Sequence, residues 1–521
     1  MKKIYKRHLK DKEIEREYEY IPVRFILGLL LTLFEIAGMI GVVIALCYYV
    51  PYFYVLAVIT QVVCVVKIIS SDDNPDYKAP WLLVVLVLPV AGFMLYFILY
   101  SRKLQKKYVK RLQFLSTKNY KKDDTNILNE LKNDNETAYT HAKALCKIAD
   151  THIFENVKQD YFSSGEDIFP CMIEDLKNAK KFIFLEYYII EEGKYWNTVL
   201  EILKQKISEG VEIKVVFDDF GCMRTLPGNY ASQLEKMGIS AVPFSRLKGY
   251  SNNEFNNRTH RKMLIIDGYI AYTGGVNLAD EYINECERFG YWKDCGIRLE
   301  GECVWEYVEL FLTDYGLNVK KLPKIRKDLY TPCIHEGEKG YVIPFGNGPT
   351  PLYERRVAKS AIQNMIDSAT KYCYITTPYL IPDNDLCVSL ENAALKGVDV
   401  RIVTPAIPDK KIVFYISRSY YHRLMKAGVK IYEYTPGFIH AKTYLADDIY
   451  AIIGSANLDY RSLAHNYENG IWLYKTNSIK DIKADLEKTI EQSALVQKEN
   501  FKLSPIEKFV SGIVRIFAPL M

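Results

Sequence analysis

The sequence lacks the glycine-rich loops by which many enzymes hold nucleotides. It contains neither GxGxxG nor GxxxxGK[ST], so neither a dinucleotide site nor a P-loop is indicated. Its 11 cysteines include no CxxC pair and follow no regular spacing, which argues against a disulfide framework and favours a reducing compartment. Among its 8 histidines no pair is three or four residues apart, the spacing of a helical zinc site. We therefore expect chemistry without a cofactor or a metal ion.

Charged residues are scarce at the front of the chain. Three apolar runs cover Phe25 to Tyr49, Phe53 to Ile69 and Trp81 to Tyr100, and the last contains no charge. Because a helix of about 20 apolar residues spans the hydrocarbon core, the first and third runs qualify as spans and the second is marginal. The first run is too long for a cleaved signal peptide. We expect a transmembrane anchor of two or three helices over residues 25–100.

Acidic residues are absent between Ser101 and Lys122, where nine Lys and Arg occur. This bias predicts that the residues after the anchor, and the catalytic part beyond them, lie in the cytoplasm. The tail at 1–24 has eight Lys and Arg against five acids and also prefers the inside. Two spans put both basic segments inside, and three spans cannot. The lengths of the apolar runs allow either number, so the number of spans stays open. Trp81, Tyr96 and Tyr100 are expected at the membrane–water interface.

The soluble part of the chain repeats one order of elements. Short strands rich in β-branched residues are separated by longer helical stretches, which indicates α/β units around a sheet. The matched strands are Phe182–Ile189 and Tyr372–Tyr379, Gly210–Phe217 and Gly397–Val403, and Gly238–Val242 and Gly428–Tyr432. A repeat of this kind predicts one α/β unit used twice.

Each half contains one copy of an HxKx4D motif. The copies are His260-x-Lys262-x4-Asp267 and His440-x-Lys442-x4-Asp447. In an extended strand residues i and i+2 share a side, so each histidine is expected beside its lysine. One imidazole can attack phosphorus to form a phosphohistidine, while the other acts as general acid and then as general base. The pair predicts a phosphoryl-transfer enzyme with a single site, in which Asp267 and Asp447 form structural salt bridges.

A tight turn and an asparagine follow each motif. The turns are Gly274-Gly275 and Gly454-Ser455, and the asparagines are Asn277 and Asn457. Turn N–H groups and carboxamides suit phosphoryl oxygens as hydrogen-bond donors. A neutral histidine also needs an acceptor on its unreactive nitrogen. Asp294 follows the motif of the first half and Glu468 that of the second, and both are candidates for this task.

The paired motifs, each followed by GG or GS and then Asn, resemble those of the phospholipase D superfamily. Within it the chain resembles bacterial cardiolipin synthases in the following strings: Leu185-Glu-Tyr-Tyr-Ile189, Gly290-Tyr-Trp-Lys-Asp294, Thr377-Pro-Tyr-Leu-Ile-Pro-Asp383, Pro408-Asp-Lys-Lys411 and Gly454-Ser-Ala-Asn-Leu-Asp-Tyr-Arg-Ser462. The resemblance implies an α/β fold of two tandem phospholipase D-like α/β/α sandwich repeats in one bilobed catalytic domain. It also implies condensation of two phosphatidylglycerol molecules into cardiolipin at the membrane, with release of glycerol and without metal or nucleotide.

Other functions share parts of this pattern. A phospholipase D-type hydrolase would use the same residues with water as acceptor, and another phosphatidyltransferase would use a different hydroxyl. A nuclease would need a basic, aromatic-lined groove. Outside the basic block from Ser101 to Lys122 the chain has slightly more acidic than basic residues, which does not predict such a groove. An inactive membrane-binding module would have no need of two complete motifs. The motifs leave the acceptor and the nucleophilic histidine open, whereas the anchor and the family strings favour a lipid partner over nucleic acid.

The expected segments are a basic tail at 1–24, the anchor at 25–100, a basic linker at 101–135, the first repeat at 136–330, the second repeat at 331–504 and an amphipathic C-terminal helix at 505–521. In the last segment one helical face carries Ile506, Phe509, Val510, Ile513, Val514 and Phe517. We expect this face to dock on the catalytic domain in preference to lipid.

Overall fold

The computed structural model describes residues 2–9, 12–20, 23–71, 74–88, 91–99, 122–246, 257–320, 323, 329–349, 352–353, 355–497 and 512–520. Most of the basic block, residues 101–121, lies outside these ranges. In the tail, strands β1 (Lys2–Leu9) and β2 (Lys12–Tyr20) pair antiparallel.

The apolar front of the chain is helical. It forms α1 (Val23–Tyr49), α2 (Pro51–Ile69), α3 (Pro75–Val87) and α4 (Ala91–Leu99). Within the described residues two helices are long and apolar enough to cross a bilayer, through the windows Leu29–Leu46 and Tyr52–Ile69. The second run, which was marginal by sequence, is therefore one of the two candidate spans.

The prediction that the third run forms one span is wrong. The run divides into α3 and α4, and a helix of 13 or 9 residues is too short to cross about 30 Å of hydrocarbon. The sequence explains the break, because Leu88 precedes Pro89 and a residue before proline is pushed out of the helical region. Leu88 has φ −119° and ψ 81°.

The two short helices fold back on each other and on α2. A Cβ on Gly92 would lie 2.4 Å from the carbonyl oxygen of Val84, so glycine permits the close approach of α4 to α3. Trp81 and Tyr96 are both buried and their rings are 5.6 Å apart. They pack in the core of this helical hairpin with Cys64 of α2. Their place at the membrane interface stays a prediction, and Tyr100 lies outside the described residues.

The first half of the soluble part forms a mixed sheet. Its helices are α5 (Thr125–Asp134), α6 (Glu136–Ala149), α7 (Gly165–Asn178), α8 (Lys194–Ser208), α9 (Tyr230–Lys236) and α10 (Val304–Asn318). Its strands are β3 (Lys158–Phe162), β4 (Phe182–Tyr187), β5 (Glu212–Asp218), β6 (Ser240–Phe244), β7 (Lys262–Ile266), β8 (Ile270–Gly274), β9 (Cys286–Glu287), β10 (Tyr291–Lys293) and β11 (Gly296–Glu300). Over the described ranges the sheet order is β3-β11-β8-β7-β4-β5-β6.

The second half repeats this arrangement. Its helices are α11 (Val357–Ser368), α12 (Asn384–Leu395), α13 (Lys411–Lys426), α14 (Tyr460–Ala464) and α15 (Ile479–Glu491). Its strands are β12 (Tyr341–Asn347), β13 (Tyr372–Thr376), β14 (Leu380–Ile381), β15 (Asp399–Pro405), β16 (Lys430–Tyr434), β17 (Gly437–Ile439), β18 (Thr443–Ala446), β19 (Tyr450–Gly454), β20 (Leu458–Asp459), β21 (Glu468–Tyr474) and β22 (Ser493–Leu495). The sheet order is β12-β21-β19-β18-β13-β15-β16-β22 in the part of the chain that the structure describes.

The two sheets share one apolar core. Helix α10 contributes Phe311, whose ring stacks on that of Phe184 in β4 at 4.7 Å. The same buried cluster contains Ile453 and Leu473 of the second sheet. Because side chains of both halves are buried against each other, the predicted bilobed α/β domain is confirmed.

The domain boundaries stay predictions, but the packing near two of them differs from the expected division. Helices α5 and α6 fall in the expected linker and first repeat, yet Leu131 and Leu145 are buried in the core of the second half. At the other end, residues 512–520 are described, and Ile506, Phe509 and Val510 lie outside them. Of the predicted face, Val514 packs against the second-half core, whereas Ile513 is 44% exposed. The neighbouring Ala518 is buried in that core, so the segment contacts the domain through part of the predicted face.

Candidate active site

His260 lies two residues before β7 and is held from the opposite half. Its Nδ1 is 3.0 Å from Oε1 and from Oε2 of Glu468, at the start of β21. The carboxylate is fully buried, whereas His260 keeps 9% of its surface exposed. Burial lowers the pKa of His260 to about 4. Burial also opposes ionisation of Glu468, but His260 and Lys262 hold its pKa below its usual value. The pair is thus a neutral imidazole donating Nδ1–H to a carboxylate.

His440 has the mirror-image arrangement. Its Nδ1 is 2.7 Å from Oδ2 of Asp294, which lies in the first half and is fully buried. Burial, and then the charge of Lys442, lower the pKa of His440 to about 3. The sequence placed each carboxylate after the motif of its own half, but the structure shows that each one binds the histidine of the other half. Each half therefore supplies the carboxylate that accepts from the histidine of the other half, an arrangement called the exchange of acceptors below.

The backbone enforces this exchange. The N–H of His260 donates to the carbonyl of Tyr467 at 2.8 Å, and that of His440 donates to the carbonyl of Lys293 at 2.7 Å. Strand β10, which ends at Lys293, pairs in parallel with β17, which ends just before His440. Each histidine is therefore fixed by the strand that also carries its carboxylate partner.

The motif lysines are buried at the same place. Lys262 Nζ donates to the carbonyl of His260 at 2.6 Å, and Lys442 Nζ is 2.8 Å from Nδ1 of His440 and donates to its carbonyl. Burial, and then the charge of Lys442, lower the pKa of Lys262 well below its usual value. Burial lowers the pKa of Lys442 to about 8. Since the charge of Lys442 in the second half lowers the pKa of Lys262 in the first, both motifs face one centre.

The turns after the motifs do not have the expected role. The N–H of Gly275 donates to the carbonyl of Cys295 at 3.0 Å, and that of Ser455 to the carbonyl of Asn469 at 2.9 Å, so neither amide points to a phosphate. Instead both turn residues support the carboxylates. A Cβ on Gly275 would lie 2.0 Å from Oδ1 of Asp294, and the Ser455 hydroxyl donates to Glu468.

The two asparagines differ in their contacts. Asn277 Oδ1 accepts from the N–H of Ile189 at 3.0 Å, and its Nδ2 donates to the Tyr282 hydroxyl at 2.7 Å. Asn457 Oδ1 is buried and has no hydrogen-bond partner among the described residues. Both side-chain polar atoms of Asn277 thus have hydrogen-bond partners in the protein, whereas the oxygen of Asn457 has none among the described residues.

The motif aspartates bind backbone rather than basic side chains. Asp267 accepts from the N–H groups of Lys180, Lys181 and Phe182 at 2.7, 2.6 and 2.9 Å. Asp447 does the same for residues 370, 371 and 372 at 2.7, 2.8 and 2.9 Å. The expected structural role thus stands, but the expected salt bridges are replaced by hydrogen bonds to the N-terminus of the central strand.

Comparison with known proteins decides the family. Residues 172–287 and 362–490 match the family described as cardiolipin synthase, phospholipase D-like domain, and residues 59–99 match the phospholipase D-nuclease N-terminal family. Cardiolipin synthase 2 of Bacillus anthracis is 34% identical over 466 residues, which cover 87% of this chain and 88% of that protein. The chain belongs to the cardiolipin synthase family. It is accordingly a phosphatidyltransferase of the phospholipase D superfamily.

Two further proteins are similar to this chain. A protein of Streptococcus mutans, described as uncharacterized, is 41% identical over 465 residues, 88% of this chain and 99% of its own length. The crystal structure of phosphatidylserine synthase from Haemophilus influenzae has a TM-score of 0.55 at 17% identity, and covers 74% of this chain and 99% of the other. The latter likeness shows the fold alone.

This cardiolipin synthase homologue also has buried polar groups that the sequence analysis missed. Arg261, between the motif His and Lys, donates from Nε to the carbonyl of Glu468 at 3.1 Å and from Nη1 to Asp314 at 2.6 Å. Burial raises the pKa of Glu186 well above its usual value, and its Oε1 accepts from the Thr259 hydroxyl at 2.5 Å. The only sequence signal for Glu186 is its place in the string 185–189, because nothing local shows that these groups meet.

Proposed function

We propose that the protein transfers a phosphatidyl group from one phosphatidylglycerol to the hydroxyl of a second, forming cardiolipin and releasing glycerol. The observation that carries the proposal is the exchange of acceptors at His260 and His440. Each Nδ1–H is engaged by a buried carboxylate, so each Nε2 is left as the nitrogen able to react. Membership of the cardiolipin synthase family supports the choice of lipid.

The reaction proceeds by two displacements. Nε2 of one histidine attacks the phosphorus of the first lipid and the bond to the glycerol oxygen breaks. The other imidazole, neutral in the free enzyme, takes up a proton from water when the phosphate anion binds beside it, and gives that proton to the glycerol oxygen. The second histidine is then neutral and takes the proton of the incoming hydroxyl, whose oxygen attacks phosphorus and displaces the phosphohistidine nitrogen. Each imidazole becomes cationic during the reaction, and the carboxylate at its Nδ1 stabilises that cation.

Charge at the centre is supplied by the lysines. Lys262 and Lys442 are buried beside the histidines and provide positive charge for the phosphoryl oxygens. The side-chain N–H groups of Asn277 and Asn457 complete the phosphate-binding groups of the proposal, as donors to the phosphoryl oxygens. No step needs a metal ion or a nucleotide, because attack, proton transfer and charge neutralisation are all assigned to side chains of the chain.

The membrane supplies both lipids. Helices α1 and α2 serve as two spans, which puts the basic tail and the residues after the anchor on the same side. The basic block at Ser101 to Lys122 assigns that side to the cytoplasm, so we expect a multi-pass membrane protein with a cytoplasmic catalytic domain.

The test is a lipid assay with purified protein in detergent and labelled phosphatidylglycerol. Cardiolipin and glycerol are expected in equal amounts. Phosphatidic acid as the sole lipid product would reject the synthase and show that the protein is a hydrolase. His260→Ala and His440→Ala should each abolish turnover, and full activity of either variant would contradict a shared site.

A further inference from the structure

An exposed apolar and basic surface lies at the start of α13. Ile407, Ile412 and Tyr415 are 38%, 62% and 52% exposed. Lys410 and Lys411 lie between them and are also exposed. Large apolar side chains next to lysines are the composition of surfaces that enter the lipid headgroup region.

The exposed apolar residues are confined to one end of the helix. On the same solvent-facing side of α13, the later exposed positions are His422 and Lys426, both polar. The inner side of α13 is ordinary core, as at Ile416, which is 1% exposed. The exposed face of the first turn is therefore not needed for packing within the chain.

A small pocket lies behind this surface. Its walls include Tyr379, Asp409, Phe414 and Phe438. The buried ring of Phe438 lies 6.1 Å from that of His440. The Tyr379 hydroxyl donates to Asp409 at 2.5 Å, and Lys410 Nζ lies 5.3 Å from the centre of the Tyr379 ring. Pro408 and Asp409, from a string that the catalytic steps do not use, thus line this pocket.

The anchor is attached to the same half. Asp76, in the first turn of α3, accepts from the Tyr460 hydroxyl at 2.9 Å and from the N–H of Asn384 at 3.0 Å. Asn384 Oδ1 in turn accepts from Arg423 of α13 at 3.0 Å. The helix that carries the exposed surface is therefore linked through a few side chains to the base of the membrane anchor.

We propose that residues 407–415 form a membrane-docking lip, which binds an anionic phospholipid surface and brings lipid to the side of the domain where Phe438 packs beside His440. Ile407, Ile412 and Tyr415 enter the acyl boundary, and Lys410 and Lys411 bind lipid phosphates. The inference rests on the proposed function, because it assigns the entry route of the same lipid substrate.

The test places a tryptophan on the lip of the full chain in vesicles. Ile412→Trp is compared with Ile334→Trp, since Ile334 is 61% exposed but is followed by His335 and Glu336. In vesicles of phosphatidylglycerol and brominated phosphatidylcholine, the tryptophan introduced at position 412 is expected to be quenched at least about twofold more than the one introduced at position 334. Equal quenching of the two variants overturns the proposal. If the indole of Ile412→Trp is shielded in detergent by a second copy of the chain and is not quenched in vesicles, the proposal is also overturned.

The basic part of the lip is tested in the same system. Lys410→Glu with Lys411→Glu, added to Ile412→Trp, should weaken the phosphatidylglycerol-dependent quenching by about tenfold. Lys426→Glu, at the far end of the same helix, is the matched control and should leave the quenching unchanged. If Lys426→Glu weakens the quenching as much as the double change at positions 410 and 411, the lipid contact is not confined to the lip and the proposal is overturned. Quenching does not depend on turnover, so quenching without cardiolipin synthesis would reject the proposed function and keep the lip.

Discussion

Glu468 of the second half accepts a hydrogen bond at 3.0 Å from Nδ1 of His260 in the first half. Asp294 of the first half does the same for His440 of the second. Neither half therefore contains a complete histidine–carboxylate pair. The duplicated chain has two copies of the motif but builds one centre from them.

The crossed pairing predicts which carboxylate controls which histidine. Glu468→Gln should lower kcat on the order of 10³-fold, because an amide no longer holds the imidazole in its reactive tautomer. It should also lower the pKa of His260, since the charge of Glu468 raises that pKa against the effect of burial. Nitrogen NMR of the histidine rings measures both the tautomer and the pKa. Asp294→Asn should alter the His440 signals instead, and a change at His260 alone would contradict the exchange. Glu487→Gln, on the exposed face of α15, is the neutral control.

Gly275 is predicted to act through the carboxylate that it faces. In Gly275→Ala the new Cβ would lie 2.0 Å from Asp294 Oδ1, so the carboxylate must move away from His440. We expect a fall in kcat of about 10²-fold or more with little change in KM. Gly512→Ala, where nothing lies within 4 Å of the added Cβ, is the control. Unchanged turnover in Gly275→Ala would show that the position of Asp294 is not important.

Asp447 is predicted to matter for stability more than for chemistry. Its carboxylate accepts from three consecutive N–H groups and from the Thr370 hydroxyl, so Asp447→Ala should lower the free energy of unfolding by about 2 kcal/mol or more. Activity per folded molecule should fall far less than in His440→Ala. Asp448→Ala removes the neighbouring carboxylate, which is more exposed, and should cost much less. A catalytic loss in Asp447→Ala as large as that of His440→Ala, with stability intact, would contradict the structural role.

The lysine of the second motif predicts the alkaline limit of activity. Burial lowers the pKa of Lys442 to about 8, so raising the pH through that value removes a positive charge from the folded site. kcat/KM should therefore fall above about pH 8. At the acid end, the His260 pKa of about 4 means that this ring stays neutral until the pH falls to that range. A pH profile on phosphatidylglycerol in detergent measures both limits, and activity that keeps rising well above pH 8 would contradict the role of Lys442.

The two-span anchor predicts in which compartment a reporter inserted beside each span lies. With two spans, a reporter inserted next to Val50, between α1 and α2, lies outside the cell, and one inserted before Asn74 lies in the cytoplasm. Fusions of a reporter that is active in only one compartment measure this directly. The same compartment at both positions would rule out α2 as a span.

Sequence periodicity was enough for the repeated strands and for both motifs, because β-branched runs and regular spacing are local features. It was not enough for the third apolar run, where composition indicated a span but α3 ends just before Pro89 and Gly92 lets α4 fold back. A hydropathy window counts apolar residues and does not weigh a helix break within them.

The candidate site shows the same limit. The motifs pointed to His260 and His440, and the structure places the candidate acceptors Glu468 and Asp294 beside them. The crossed pairing could not be read from the sequence, since Glu468 is 208 positions from His260 in the chain and no local pattern reports such a contact. The buried ion pair between Arg261 and Asp314 depends in the same way on the packing of α10, which carries Asp314.

The stoichiometry of the covalent intermediate tests the shared site most directly. Purified protein is mixed with phosphatidylglycerol labelled in its phosphate, stopped within one turnover, and analysed for acid-labile label by mass spectrometry. We predict at most one phosphatidyl group per chain, always on the same one of His260 and His440, and none when the other is replaced by alanine and cannot protonate the leaving glycerol. Two groups per chain, or no label on either histidine, would contradict a single centre built from both halves.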